Sequence, residues 1–400
     1  MSRIREQGTG KLVPLEGLRG IAAVIVMLGH MVRGLVPPAP GNLDSLKNVH
    51  DWMLNGGAAV SVFFVLSGFI LSLPFAKDRS LLRVGTALLK RWPRLAALTT
   101  IACLFSWGLI ELSHGAYHQA AAVTGNEWMG NHFNAPLHGH DISWLSALRD
   151  GLYRVYLFGD VKFDSPLWTM RIELFGSFAI FLAAPVLFGL KSWMLRLTAI
   201  AVAVALAGTT FPFTYFSDFL AGTLLAMLFA EGKLPAISNG LAAGMGLAGV
   251  YLFCFSAAEE RAIYAPLKAV AAGELAHFAW AASAALIIIV LLGNAAMRGF
   301  FSKSWAAWLG LISFPIYLLH VPIMLSAGAL SINGMADSLG VTGAVLAASC
   351  ITIALTLAFA LPLAWFDKAW TRILSRVAGW LTKRRLTPVG GGNKTADQLR

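Results

Sequence analysis

Ten apolar stretches, at roughly 16–36, 56–76, 88–112, 166–188, 194–210, 214–230, 240–256, 272–292, 305–328 and 340–366, divide this chain of 400 residues. A helix needs about 20 mostly apolar residues to cross the hydrocarbon core of a bilayer. In lipid, every backbone N–H and C=O must be satisfied within the spanning structure itself. Runs of this length therefore predict an all-α fold, a polytopic integral membrane bundle of about ten transmembrane helices. The fifth, sixth and seventh runs are short, and re-entrant or merged helices suit them as well. Composition agrees: 57% of the residues are hydrophobic, 13% are charged and the mean hydropathy is +0.69, too apolar for a soluble enzyme.

Charge placement orients the bundle. With the N-terminus inside, the cytoplasmic segments collect 21 of the 31 Lys and Arg residues, the opposite loops hold six, and Arg19, Arg33, Arg94 and Arg171 fall within spans. That bias predicts both termini cytoplasmic. The net charge of +11 then reflects topology, and no nucleic-acid partner is expected, because the basic residues are not gathered on a soluble domain. The first apolar run lacks a small-residue cleavage site and reads as a retained span. Cys103, Cys254 and Cys350 all lie in apolar runs and indicate no disulfide framework.

The expected organisation is a transmembrane domain over 1–366, with one long outer loop over 113–165, and a basic, disordered cytoplasmic tail over 367–400. The second part of the loop, "ISWLSALRDGLYRVYLFG", has apolar residues at helical spacing and predicts an interfacial amphipathic helix. His114 with His118 and His138 with His140 have ligand-like spacing, but no cysteine joins them; a solvated, acceptor-facing loop is the plainer reading and no metal is expected. "GMGLAG" at 244–249 fits a dinucleotide fingerprint, yet it sits within an apolar run with no preceding strand, so small-residue helix packing accounts for it better.

Ionisable groups inside spans are costly and mark function. Counting helical rise, His30 and His320 lie about 21 and 22 Å above the inner face, and Glu173 about 20 Å above it. Two histidines and a carboxylate from three spans thus share one depth, where a common cavity would satisfy them. Arg91 and Arg94 sit three apart at the inner end of the third span, with Arg19 at a similar level on the first. Clustered guanidiniums suit phosphate groups.

These residues resemble the membrane-bound acyltransferase-3 family of bacterial acyl-transfer proteins. The likeness rests on "LEGLRGIAAVIVMLGH", "VFFVLSGFIL", "RWPR", "PLWTMRIELFG" and "ISFPIYLLHVP", in that order over residues 15 to 322. Glu16 stands where the family usually has Asp, and Met170 where its Trp-Ser/Thr-Leu element has Leu. The resemblance implies a multi-pass enzyme of a bacterial inner or plasma membrane. Its reaction would be O-acylation, commonly acetylation, of a surface carbohydrate or glycolipid, with cytoplasmic acyl-CoA as co-substrate and no resident cofactor. His30 then matches the catalytic histidine, Arg19 its partner, and Arg91 and Arg94 the pair associated with the acyl donor.

The expected mechanism has His30 as general base toward the acceptor hydroxyl, with Glu173 orienting its ring. An acyl-histidine intermediate remains an equal alternative. Glu173 pairing with Arg171 or Arg33, and Arg91 and Arg94 serving only as positive-inside anchors, are the plainer readings of those residues. Ser67, Trp168, Tyr317 and His320 are expected to line the cavity or meet the acceptor. For Tyr317 and His320, helix–helix hydrogen bonding competes with that role, and for Ser67 with Gly68 and Phe69, close packing does. No glycine–x–serine–x–glycine elbow surrounds Ser67. A secondary transporter or flippase using the same Arg, His and Glu groups is the rival function.

Overall fold

The computed structural model describes residues 12–38, 41, 43–132, 142–208, 213–256, 261–270 and 276–386. Every regular element among them is helical. The helices used below are α1 (Val13–Leu35), α2 (Asp44–Met53), α3 (Gly56–Ser72), α4 (Leu81–Ser113), α5 (Ala116–Thr124), α6 (Glu127–Gly130), α7 (Trp144–Arg149), α8 (Trp168–Gly189), α9 (Trp193–Ala207), α10 (Phe216–Ala230), α11 (Asn239–Phe253), α12 (Ala276–Gly293), α13 (Ser304–Ile323) and α14 (Ala329–Leu386).

Seven helical stretches among the described residues are long and apolar enough to cross a membrane, and α9 and α11 are shorter apolar helices. The last of the seven, Ser304–Leu381, is broken at Gly340, whose left-handed φ of 66° ends one helical arm and starts another. Helix starts follow local chemistry. Pro14 opens α1 with Glu16 in its first turn, and Arg33 lies in its last turn, as the helix dipole favours. The Asn55 and Ser80 side chains cap α3 and α4 by accepting from Ala58 and Arg83 amides.

Small residues set the closest crossings. A Cβ on Gly68 would lie 2.1 Å from the Phe219 carbonyl oxygen, and one on Gly222 2.0 Å from that of Val65, so α3 and α10 meet backbone to backbone. Gly20 meets Leu309, and Gly310 meets Glu16, where α1 packs along α13. Successive contacts, Gly17 to Ala306 and His30 to His320, run in the same order, so these two helices are parallel.

The segment around α7, expected as an amphipathic helix, exposes Trp144, Leu152, Leu157 and Phe158 on one side and is fastened to the bundle on the other. It packs along the middle of α4, where Thr99 donates to the Gly151 carbonyl at 2.6 Å and Trp92 to that of Leu152 at 3.2 Å. Its acidic groups are internally paired: Arg154 bridges Asp150 at 3.2 Å and Asp160 at 2.5 Å. The tail differs from the expected disorder, because α14 continues past residue 366 to Leu386. An apolar stripe of Phe366, Trp370, Ile373, Val377 and Trp380 at helical spacing sustains it, beside Lys368, Arg372 and Arg376. Residues 387–400 lie outside the described residues.

Candidate active site

Two polar centres occupy different levels of the bundle. The first joins α1 and α13. His30 Nδ1 lies 2.9 Å from His320 Nε2, and His320 Nδ1 lies 2.9 Å from the Ile316 carbonyl oxygen. A carbonyl only accepts, so His320 Nδ1 carries the proton and its Nε2 is the acceptor. His30 must then donate from Nδ1, which leaves the lone pair on its Nε2. The fold thus selects the tautomer in which a half-buried imidazole presents a basic nitrogen, while His320 is fully buried behind it.

The connection that follows α4 covers this pair. Asn126 donates to the Arg33 carbonyl at 2.9 Å and the Val36 carbonyl at 3.1 Å, closing the end of α1, and its side-chain oxygen accepts from the Met129 amide. That clamp stacks Trp128 on His30, with ring centroids 6.0 Å apart and 21° between planes. Arg33 is a cation–π partner of Trp128 at 5.7 Å. His132, which packs on Trp128 at 4.7 Å, is held down to about 4 by burial and then by the Arg33 charge. It is therefore neutral near pH 7.

One helical turn below, the Tyr317 hydroxyl donates to the Pro166 carbonyl at 2.8 Å and lies 2.9 Å from Thr169 Oγ1. This ties the start of α8 to the dyad. Trp168, partly buried, packs on Tyr215 at 5.6 Å.

The second centre lies toward the opposite end. Glu173 forms an ion pair with Arg91 and accepts from Ser67 at 2.8 Å, while Arg91 Nε donates to Ser177 at 2.8 Å. Thr169, Glu173 and Ser177 recur every four residues, so one face of α8 carries a polar stripe from the Tyr317 level down to Arg91. Below it opens a cavity of about 420 Å³ lined by Arg83, Lys90, Arg91 and Arg94 with Asp78, Thr86, Thr371 and Ser375. Arg94 makes two bonds to Asp367, at 3.2 and 3.1 Å.

The expected contact between Glu173 and His30 is corrected by this arrangement. Glu173 is engaged by Arg91 and Ser67, not by Arg171 or Arg33, and a second imidazole holds the His30 ring. The reason is electrostatic: a carboxylate and a guanidinium that are both buried need each other more than either needs a neutral histidine. Arg19 does not line the cavity. It binds Glu16 at 2.5 Å, Ser313 at 3.0 Å and the Gly310 carbonyl at 2.9 Å, fastening α1 to α13 below the dyad.

Sequence reading missed Trp128 in the short α6 and Asn126 that caps it, a segment with no motif, and Asp367, an acid just past the last apolar run. It also missed a buried pair, His277 with Asp218 at 2.9 Å, that joins α10 and α12. Among the described residues no three His, Cys, Asp or Glu side chains are grouped to hold a metal ion. His138 and His140 lie outside the described residues.

Comparison with known proteins supplies the wider context. The family description for the acyltransferase 3 domain matches residues 13–365. The O-acetyltransferase PaAT-1 of Phomopsis amygdali is 25% identical over 363 aligned residues, covering 78% of this chain and 72% of that protein. No solved structure matches. A match over nearly all of the helical bundle, rather than over one motif, settles the assignment: the chain belongs to the acyltransferase-3 family.

Proposed function

We propose that this protein is a membrane O-acyltransferase that moves an acyl group, in the simplest case acetyl, from acyl-CoA to a hydroxyl of a carbohydrate or glycolipid on the far side of the membrane. The observation that carries this reading is the pair of contacts, His30 Nδ1 to His320 Nε2 and His320 Nδ1 to the Ile316 carbonyl, from which the His30 tautomer follows. A hydroxyl attacks a thioester poorly until a base removes its proton, and a positioned imidazole contributes about 10²–10⁴-fold. In the proposed step the acceptor oxygen bonds to the thioester carbonyl carbon while its proton passes to His30 Nε2. Collapse of the tetrahedral intermediate breaks the C–S bond, and the imidazolium returns the proton to the departing thiolate. His320 stabilises the imidazolium by accepting from Nδ1.

The basic cavity is the proposed donor site, with Arg91 and Arg94 at its head. Phe63 packs on Tyr317 at 5.7 Å, and Ile70 borders the cavity. Seven residues along α3, plus the turn from Tyr317 to His320, put about 15 Å between cavity and dyad. A donor with phosphates at one end and its thioester on an extended arm fits that separation. The polar stripe of α8 would line the route, and Trp168, Tyr317 and Trp128 would face the acceptor. In this reading Glu173 acts by holding Arg91.

The proposal includes ten crossings, counting α9, α11 and both arms around Gly340, with both termini on the donor side, the cytoplasm. The setting would be a plasma membrane or bacterial inner membrane. Radiolabelled acetyl-CoA supplied to inside-out vesicles tests the function. Label in ester linkage to a glycan or glycolipid of the vesicles supports transfer. Unreacted labelled donor in the lumen would support transport instead.

A further inference from the structure

We propose that Asp367 sets the affinity of the basic cavity for its phosphorylated donor by competing for Arg94; this rests on the donor reading above. Three of the four cations lining the cavity already hold a carboxylate: Arg83 has Asp78 at 2.9 Å, Arg91 has Glu173, and Arg94 has Asp367. Among the described residues, Lys90 is the lining cation without one. Arg83 gives Asp78 only its Nε, whereas Arg94 gives Asp367 both Nε and Nη2, so a phosphate that takes this edge of Arg94 in bidentate fashion must displace Asp367.

The three pairs are not equally displaceable. Arg91 and Glu173 are buried and further tied by Ser67 and Ser177, so separating them would strand a buried charge. Arg83 and Asp78 are both more than 40% exposed, at the solvent-screened rim. Arg94 is the middle case: its side chain is 39% exposed and that of Asp367 20%. Its partner also belongs to a different element, the extension of α14. That extension forms one wall of the cavity, where Thr371 and Ser375 follow Asp367 on the same helical face. Thr371 Oγ1 donates to Asp367 at 3.3 Å, so a departing carboxylate leaves both Arg94 and a hydroxyl for phosphate oxygens.

The helix does not depend on Asp367 for its position. Trp370 Nε1 donates to the Pro93 carbonyl at 3.0 Å and anchors the same turn to α4. Removing the carboxylate should thus alter charge and leave the wall in place.

The test is equilibrium binding of coenzyme A to the detergent-solubilised full chain, with pantetheine, which lacks phosphates, as the comparison probe. Asp367→Asn is expected to bind coenzyme A roughly two- to tenfold more tightly than the wild type and pantetheine equally. Asp367→Ser serves the same purpose should the amide variant fail to purify as a single species. Unchanged or weaker coenzyme A binding by a folded variant overturns the role of Asp367. Absence of coenzyme A binding in the wild type overturns the donor reading itself.

Discussion

His30 and His320 form a directional pair: the Nδ1–H of His30 donates across 2.9 Å to a His320 whose own proton is fixed on the Ile316 carbonyl. The relation matters because it gives His320 the orienting role that a carboxylate fills in many triads. A neutral orienting group stabilises the imidazolium less than an anion does, but it can be buried without a counter-charge.

This relation predicts a graded response at position 320. His320→Leu should lower kcat by about a hundredfold or more, because His30 loses the partner that selects its tautomer. His320→Gln, with a side-chain oxygen able to accept near the position of Nε2, should recover part of that loss. The KM for acyl-CoA should stay near the wild-type value in both. Equal activity of the two variants, or a change confined to KM, would count against a positioning role.

The Arg91–Glu173 pair predicts strong coupling. Glu173→Leu alone leaves a buried guanidinium without its anion, and Arg91→Leu the converse, each costing about 3–5 kcal/mol. The double variant should be more stable than either single one, read as the melting temperature of the detergent-solubilised protein. Additive losses would show that the pair is not the unit described here.

Asp150 predicts a pH-dependent stability. Burial, and then the neighbouring Asp160 charge, lift its carboxyl to about 6, above the unfolded value near 3.8. The folded state then binds the proton more tightly, so this group's contribution is favourable in acid and declines as pH rises from about 4 through 6. Asp150→Asn should therefore raise the melting temperature at pH 7.5, by at most about 3 kcal/mol of stability, and leave it unchanged near pH 4. A variant less stable than the wild type at pH 7.5 would show that Arg154 overcomes the burial cost.

Much of this arrangement was legible in the residues because bilayer physics leaves few choices. Run length located the apolar helices, and helical rise placed His30 and His320 at one depth, where they meet. The same arithmetic put Glu173 level with them, and there it erred: Thr169 already meets Tyr317 one turn below the dyad, so Glu173 lies a further turn down α8, beside Arg91. Arg19 illustrates a related limit: it shares a level with Arg91, but rotation about α1 turns it toward Ser313 and Gly310. Trp128 and Asp367 had no periodic signal, since one sits in a four-residue helix too short to show a period and the other just past the last uniformly apolar run. The length of α14 was obscured for the same reason, because its final turns are amphipathic rather than uniformly apolar.

The most direct test of the account is acyl transfer from radiolabelled acetyl-CoA by His30→Ala reconstituted in lipid vesicles, with coenzyme A binding measured on the same preparation. The account predicts that labelled ester falls to background while coenzyme A still binds at the distant basic cavity. Ester formation at the wild-type rate by the alanine variant would contradict it.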